Sequence, residues 1–222
     1  MTKEKLLNAQ YISIQLFKAI EENRLIVAGK SEEQLNAEVC DLALKTFGIE
    51  HHWHKKIVRS GKNTLAIYPD NPPTRLIDKE DILFIDLGPI VEGYEADIGR
   101  TYVLGNHARK LKLKSDVENA WHDIQEWYQQ QTTLKASELF HHAVRKAEEF
   151  GWEFGGEIAG HIVGKYPHEQ PPDPKSLELD IHPENHNDMF LPDANGHRRH
   201  WILELQFIDR ENEIGGYFEQ LL

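Results

Sequence analysis

Apolar residues change period along the chain, and the changes divide it into two similar blocks. Leu7, Tyr11, Ile14 and Phe17 recur at helical spacing, which predicts a first amphipathic helix with that stripe against a core. Ala28-Gly29-Lys30 breaks it. Ser31 followed by Gln34 reads as a capping box. Leu35, Val39, Leu42 and Phe47 then form a second helical stripe, which Gly48 ends. The period next shortens toward two. Residues 56–59 and 64–68 predict short strands, Asp70-Asn71-Pro72-Pro73 a turn, and 81–87 a buried strand. Residues 95–104 predict another strand after a turn at Glu92-Gly93. The order then returns: a helix over 108–130, with Ser115 and Glu118 as an alternative capped start, and a helix over 137–150 with Leu139, Phe140, Ala143, Val144 and Ala147 on its apolar side. Strands follow near 201–208 and 216–222. The halves share a pattern but no residue-level repeat. The polar, proline-rich segment 166–200 has no sustained period and predicts a rim or lid.

A chain of 222 residues, 40% of them hydrophobic, can bury the core of one substantial domain spanning 1–222. The formal net charge of -12 makes nucleic acid and anionic lipid unfavourable partners. The single cysteine, Cys40, forms no intramolecular disulfide, fits a reducing compartment and reads as a buried structural thiol. No apolar run approaches the roughly 20 residues of a membrane span, and no signal-peptide pattern follows the N-terminal lysines. A cytoplasmic protein is expected.

The chemistry concentrates in acidic residues placed within strands. Alternation puts Ile82, Phe84 and Asp86 on one strand face. Asp97 reads as mid-strand, Glu204 sits between Leu203 and Leu205, and Glu219 lies near the end of 216–222. A buried carboxylate is costly unless paired or bound to metal, and several together repel one another. Arg100 is the only basic residue in these four windows, so divalent cations are the simpler partner. His161 in the glycine-rich stretch 155–164 supplies a nitrogen donor, with His168 and Glu169 just beyond.

The run from Asp86-Leu87-Gly88 through Tyr94-Glu95-Ala96-Asp97-Ile98-Gly99-Arg100-Thr101, with its aspartates eleven residues apart, resembles the signature of the pita-bread metallopeptidases. These include methionine aminopeptidases, aminopeptidase P, prolidases and creatinases. Gly160-His161 with His168-Glu169 resembles the family's histidine segment, and Glu204 and Glu219 fall at its two glutamates. The resemblance runs from Trp53 to Leu222. It implies an α+β pita-bread fold: a curved antiparallel sheet with two helix pairs on its outer face. It implies two divalent ions (Mn, Co, Zn or Fe), with Asp97 and Glu219 bridging them, Asp86 on one, and His161 and Glu204 on the other. It further implies hydrolysis of a peptide bond near a free N-terminus. Glu204 would shuttle a proton and His168 would donate to the substrate oxyanion. The substrate would be a peptide or small molecule, and a homodimer is allowed for.

Three positions depart from that pattern. Tyr68 stands where a substrate-contacting histidine is expected, Tyr217 where prolidases and aminopeptidase P carry arginine, and Gln220 where aspartate follows the last glutamate. The extra N-terminal domain of those branches is missing, which puts proline specificity in question. The tract His51-His52-Trp53-His54 reads as a polar surface segment leading into a strand. Two rivals share the fold: a creatinase-like hydrolase of another C–N bond, and a binding module that has lost its ligands.

Overall fold

A computed structural model describes residues 2–171, 173 and 175–222; Met1 and two prolines of the predicted rim, Pro172 and Pro174, lie outside the described residues. The chain runs α1 (Thr2–Glu22), α2 (Glu32–Phe47), β1 (Ile57–Ser60), a 3-10 turn (Gly61–Leu65), β2 (Ile82–Leu87), β3 (Ile90–Val91), β4 (Tyr94–Glu95), β5 (Ile98–Val103), α3 (Ala108–Gln129), α4 (Ala136–Phe150), β6 (Glu153–Phe154), β7 (Ile162–Val163), β8 (His200–Asp209) and β9 (Ile214–Leu221). The main sheet is antiparallel throughout, in the order β1-β2-β5-β9-β8-β6, with β7 pairing the start of β8.

Strand alternation divides the sheet into a packed face and a chemical face. Leu83, Ile85 and Leu87 of β2 join Leu16, Phe17 and Ile20 of α1 and Leu35, Val39 and Ala43 of α2 in one core. Leu203, Leu205 and Phe207 of β8 join Trp121 and Ile124 of α3 and Leu139, Ala143 and Ala147 of α4 in a second. Each fully buried Leu or Ile contributes about 1.5–3 kcal/mol. The buried Trp121 also satisfies its indole by donating to the Leu203 carbonyl at 2.8 Å. With one face of every long strand committed to helices, the alternate residues of β2, β8 and β9 face the other way.

The predicted capping box forms: Ser31 Oγ accepts from Gln34 N and Gln34 Oε1 accepts from Ser31 N. Gly48 ends α2 at a positive φ of 65°. Five expectations change. The buried stripe of α1 is Leu6, Ala9, Ser13, Leu16, Phe17, Ala19 and Ile20, whereas Leu7 and Tyr11 are exposed. Small Ala9 and Ser13 let the helix pack closely, and Ser13 Oγ satisfies itself on the Ala9 carbonyl at 2.7 Å. Residues 64–68 form no strand, because Arg59 takes the carbonyls of Ala66 and Ile67 that a ladder would need. Residues 95–104 split at Ala96-Asp97 between β4 and β5. Ser115 lies inside α3, so the helix starts at Ala108. Cys40 is half-buried, with burial pushing its thiol pKa up.

No helix among the described residues is long and apolar enough to cross a membrane.

Candidate metal centre

The sheet register sets the site. Asp86 of β2 lies opposite Gly99 of β5, Gly99 opposite Glu219 of β9, and Glu219 opposite Glu204 of β8. Three carboxylates therefore share one row across four strands, where like charges repel. Asp97, two residues before Gly99, enters the same space from the break before β5. His161 comes from the turn before β7. Its backbone is drawn against β8 by the bond from Ile202 N to the His161 carbonyl, 2.8 Å. Gly160 makes this approach possible, since a Cβ there would lie 2.0 Å from the Ile202 carbonyl oxygen, at a φ of 128°. All five predicted carboxylate and histidine residues thus line one cavity of about 590 Å³.

A residue read as surface polar also enters. The His54 side chain is only 6% exposed, and its Nε2 lies 3.0 Å from Asp97 Oδ1 and 3.7 Å from Asp86 Oδ1. His51 stays exposed, as expected of the tract, but Trp53 and His54 turn inward. The signal was the position of His54, three residues before a strand whose partner carries Asp86. The neighbouring histidines hid it.

Charge in the cluster follows from burial and crowding. Burial raises Asp86 to about 7, against the opposing pull of His54 and with the further push of Asp97. Burial and then the neighbouring carboxylates drive Glu219 well above its usual range. Burial raises Glu204 as well. Asp97 goes the other way: burial alone would raise it, but His54 and His161 hold it far below the ordinary carboxylate range. Burial disfavours imidazolium, yet the carboxylates lift His54 to about 10 and His161 to about 9. Two buried oxygens, Asp86 Oδ1 and Glu219 Oε2, make no hydrogen bond.

Donor atoms gather in two overlapping groups, His54 with Asp86 and Asp97, and Asp97 with His161 and Glu219, each within 4.8 Å. Asp97 belongs to both. Carboxylate oxygens with imidazole nitrogens are a donor set for a divalent transition metal. The orphaned oxygens are the sort of buried groups such an ion would satisfy.

Around this cluster stand residues that orient others. Glu95, 1% exposed, accepts from Gly164 N and His168 N and lies 2.8 Å from His168 Nδ1. That bond leaves Nε2 of His168 for the cavity that the ring lines. Tyr217, at the arginine position, donates its hydroxyl to Glu204 Oε2 at 2.6 Å. Gln220 instead accepts from Arg100. Tyr68 is half-exposed at the cavity rim, 6.0 Å from the His54 ring between centroids. The sequence carries no local sign of the roles of Glu95 and Tyr217, because an orienting residue shows itself only through its partner. The segment 166–200 is a rim: His168, Glu169, Gln170, Leu179 and Asp180 line the cavity, and Ile181 and Met189 are buried beneath.

An antiparallel sheet backed by two helix pairs, holding a carboxylate–imidazole cluster on its inner face, is the pita-bread architecture. The profile of metallopeptidase family M24 matches residues 4–192, and the chain belongs to that family. No curated protein matches the chain by sequence. Similar solved structures include a prolidase from Thermococcus sibiricus, at 24% identity and a TM-score of 0.72, over 98% of this chain and 55% of that one. An X-Pro aminopeptidase from Thermotoga maritima matches at 22% identity and a TM-score of 0.76, over 98% and 56%. A methionine aminopeptidase from Rickettsia prowazekii matches at 13% identity and a TM-score of 0.70, over 100% and 93%. These likenesses establish the fold. The chain spans about 55% of the prolidase's length.

Proposed function

We propose that residues 1–222 act as one catalytic domain that hydrolyses a peptide bond near a free N-terminus with the help of two divalent cations. The observation carrying this reading is the convergence of Asp86, Asp97, His161, Glu204 and Glu219 on one cavity, with two of their buried oxygens unsatisfied. Asp97 and Glu219 would help to hold both ions, with Asp86 adding to one and His161 and Glu204 to the other. Two bound cations would lower the pKa of the attacking water and polarise the scissile carbonyl.

The chain's own groups do the rest. Glu204, whose Oε2 accepts from the Tyr217 hydroxyl, is the carboxylate to take the proton of the attacking water and pass it to the leaving amine. His168, whose Nδ1 hydrogen is committed to Glu95, turns Nε2 to the cavity and, with both ring nitrogens carrying hydrogen, donates from it to the carbonyl oxygen as negative charge develops there. Tyr68, which lines the cavity at its rim, has a hydroxyl able to donate to the bound substrate. Ile57, Phe84 and Ile162 form apolar wall against which the substrate loses water. Mn, Co, Zn and Fe all suit a mixed oxygen and nitrogen donor set. A reducing cytoplasm suits the single Cys40. The net charge of -12 favours no nucleic-acid or membrane partner, and a homodimer stays compatible with the reading.

Metal per chain, followed by an assay of the reloaded protein on short peptides with creatine as a control, tests the proposal. The expected result is bound divalent metal and release of an N-terminal residue or a split dipeptide. A metal-replete protein that cleaves no peptide would sink it, and turnover of creatine alone would move it to another C–N bond.

A further inference from the structure

His54 is a deeply placed side chain in the cavity that the mechanism above leaves without a task. Its segment is stitched along residues 88–90, with Trp53 N donating to the Gly88 carbonyl at 2.9 Å and Ile90 N to the His51 carbonyl at 3.0 Å. Trp53 Nε1 also donates to the Ala96 carbonyl at 3.0 Å. Gly88 makes the room. A Cβ there would lie 2.1 Å from His54 Cδ2 and 2.6 Å from Trp53 Nε1, so a side chain at 88 would expel both rings.

The ring's tautomer follows from its partner. His54 Nδ1 lies 2.7 Å from the Lys55 carbonyl oxygen, which can only accept, so Nδ1 carries hydrogen. In the neutral ring Nε2 is then a bare lone pair, the form that binds metal. His161 repeats the arrangement, with Nδ1 2.9 Å from the Ile162 carbonyl and Nε2 3.2 Å from Asp97 Oδ2. Each oxygen of Asp97 therefore faces one imidazole nitrogen. Asp86 Oδ1, which makes no hydrogen bond, faces the same His54 nitrogen at 3.7 Å.

We infer that His54 is a protein ligand of the cation on the Asp86 side, so that each of the two cations takes one imidazole. This rests on the two-cation reading above, whose family pattern offers only carboxylates on that side. A nitrogen donor at both positions turns the centre toward Zn, Co or Fe and away from the harder Mn.

The test uses metal-stripped full-length chain, titrated calorimetrically with Zn²⁺ and separately with Mn²⁺, and followed by ¹⁵N resonances of the histidine rings. Wild type should take two Zn²⁺, and the Nε2 resonances of both His54 and His161 should shift. His54→Gln should keep one tight site and lose at least about 10-fold in affinity at the other, with Zn²⁺ suffering more than Mn²⁺. The retained site reports that the variant is folded. Gly88→Ala should produce the same loss with His54 still present. If both variants bind two Zn²⁺ at wild-type affinity or tighter, His54 is a counter-charge and the inference falls while the two-cation reading stands. If wild type takes up no divalent ion, the two-cation reading itself falls.

Discussion

The two halves of the molecule share a sheet plan and differ in how they deliver chemistry. The order β1-β2-β5-β9-β8-β6 places a helix pair and three strands on each side of the β5–β9 contact. In the second half Glu204 and Glu219 sit opposite each other on continuous strands, β8 of ten residues and β9 of eight. In the first half β2 has six residues, Asp97 occupies a break between strands, and His54 lies before β1. The histidines are not equivalents. His54 packs beside Gly88, two residues past Asp86, whereas His161 bonds beside Ile202, two residues before Glu204. The sheet register thus brings Asp86, Glu219 and Glu204 together, while Asp97 enters from a strand break and the imidazoles arrive through unrelated loops. Strand periodicity carries information about the first kind of residue and none about the second.

The sharpest break of this comparison is at the residue both halves use. Asp97→Asn removes an oxygen charge that faces both histidines, and peptide turnover should fall below detection while circular dichroism stays native. Retained turnover would mean that Asp97 is no shared element. Chelation comes next. Each ion present at about 100 times its dissociation constant stabilises a fold by about 2.7 kcal/mol, so two contribute about 5 kcal/mol. For a chain of this size that corresponds to about 10–20 °C in Tm. The melting temperature of chelated protein should drop by that amount, with amide exchange rising at 95–99 before the centres of β8 and β9. Glu95→Gln sharpens the contrast between holding a ligand and orienting a neighbour. It should lower kcat about 10- to 100-fold through a misdirected His168, leaving metal per chain unchanged. Lost metal would instead put Glu95 in the centre itself.

The smallest effect concerns the helix pairs. α2 is preceded by the full Ser31–Gln34 box, whereas the N-cap of α4 is Lys135, whose side chain cannot accept a backbone N–H. Ser31→Ala should cost about 1 kcal/mol in urea unfolding, and Lys135→Ser should gain a comparable or smaller amount. Equal and negligible shifts would show that tertiary packing alone holds both helix starts.

Much of this was legible. The helices at 108–130 and 137–150, the cap at Ser31 and the stop at Gly48 follow from local hydrogen bonding and period, which any short window contains. The alternation across Asp86 gave its face directly. Errors arose where long-range partners override local preference. Residues 64–68 look like a strand until Arg59 takes their carbonyls. Tyr11 looks like core until Ala9 and Ser13 let the sheet approach a different helix face. His54 looks solvated until Gly88, far along the chain, opens a space for it.

What the sequence determined by itself was the kind of chemistry: carboxylates placed where strands must bury them, which calls for positively charged or donating partners, because isolated buried charge is intolerable whatever the detailed packing. Only the tertiary structure decided which groups share that burden. Cross-strand register set Asp86, Glu219 and Glu204 in one row, and close backbone approach at Gly88 and Gly160 admitted the two imidazoles. Such approaches depend on residues distant in the chain, and no local pattern encodes the distance at which they finally meet.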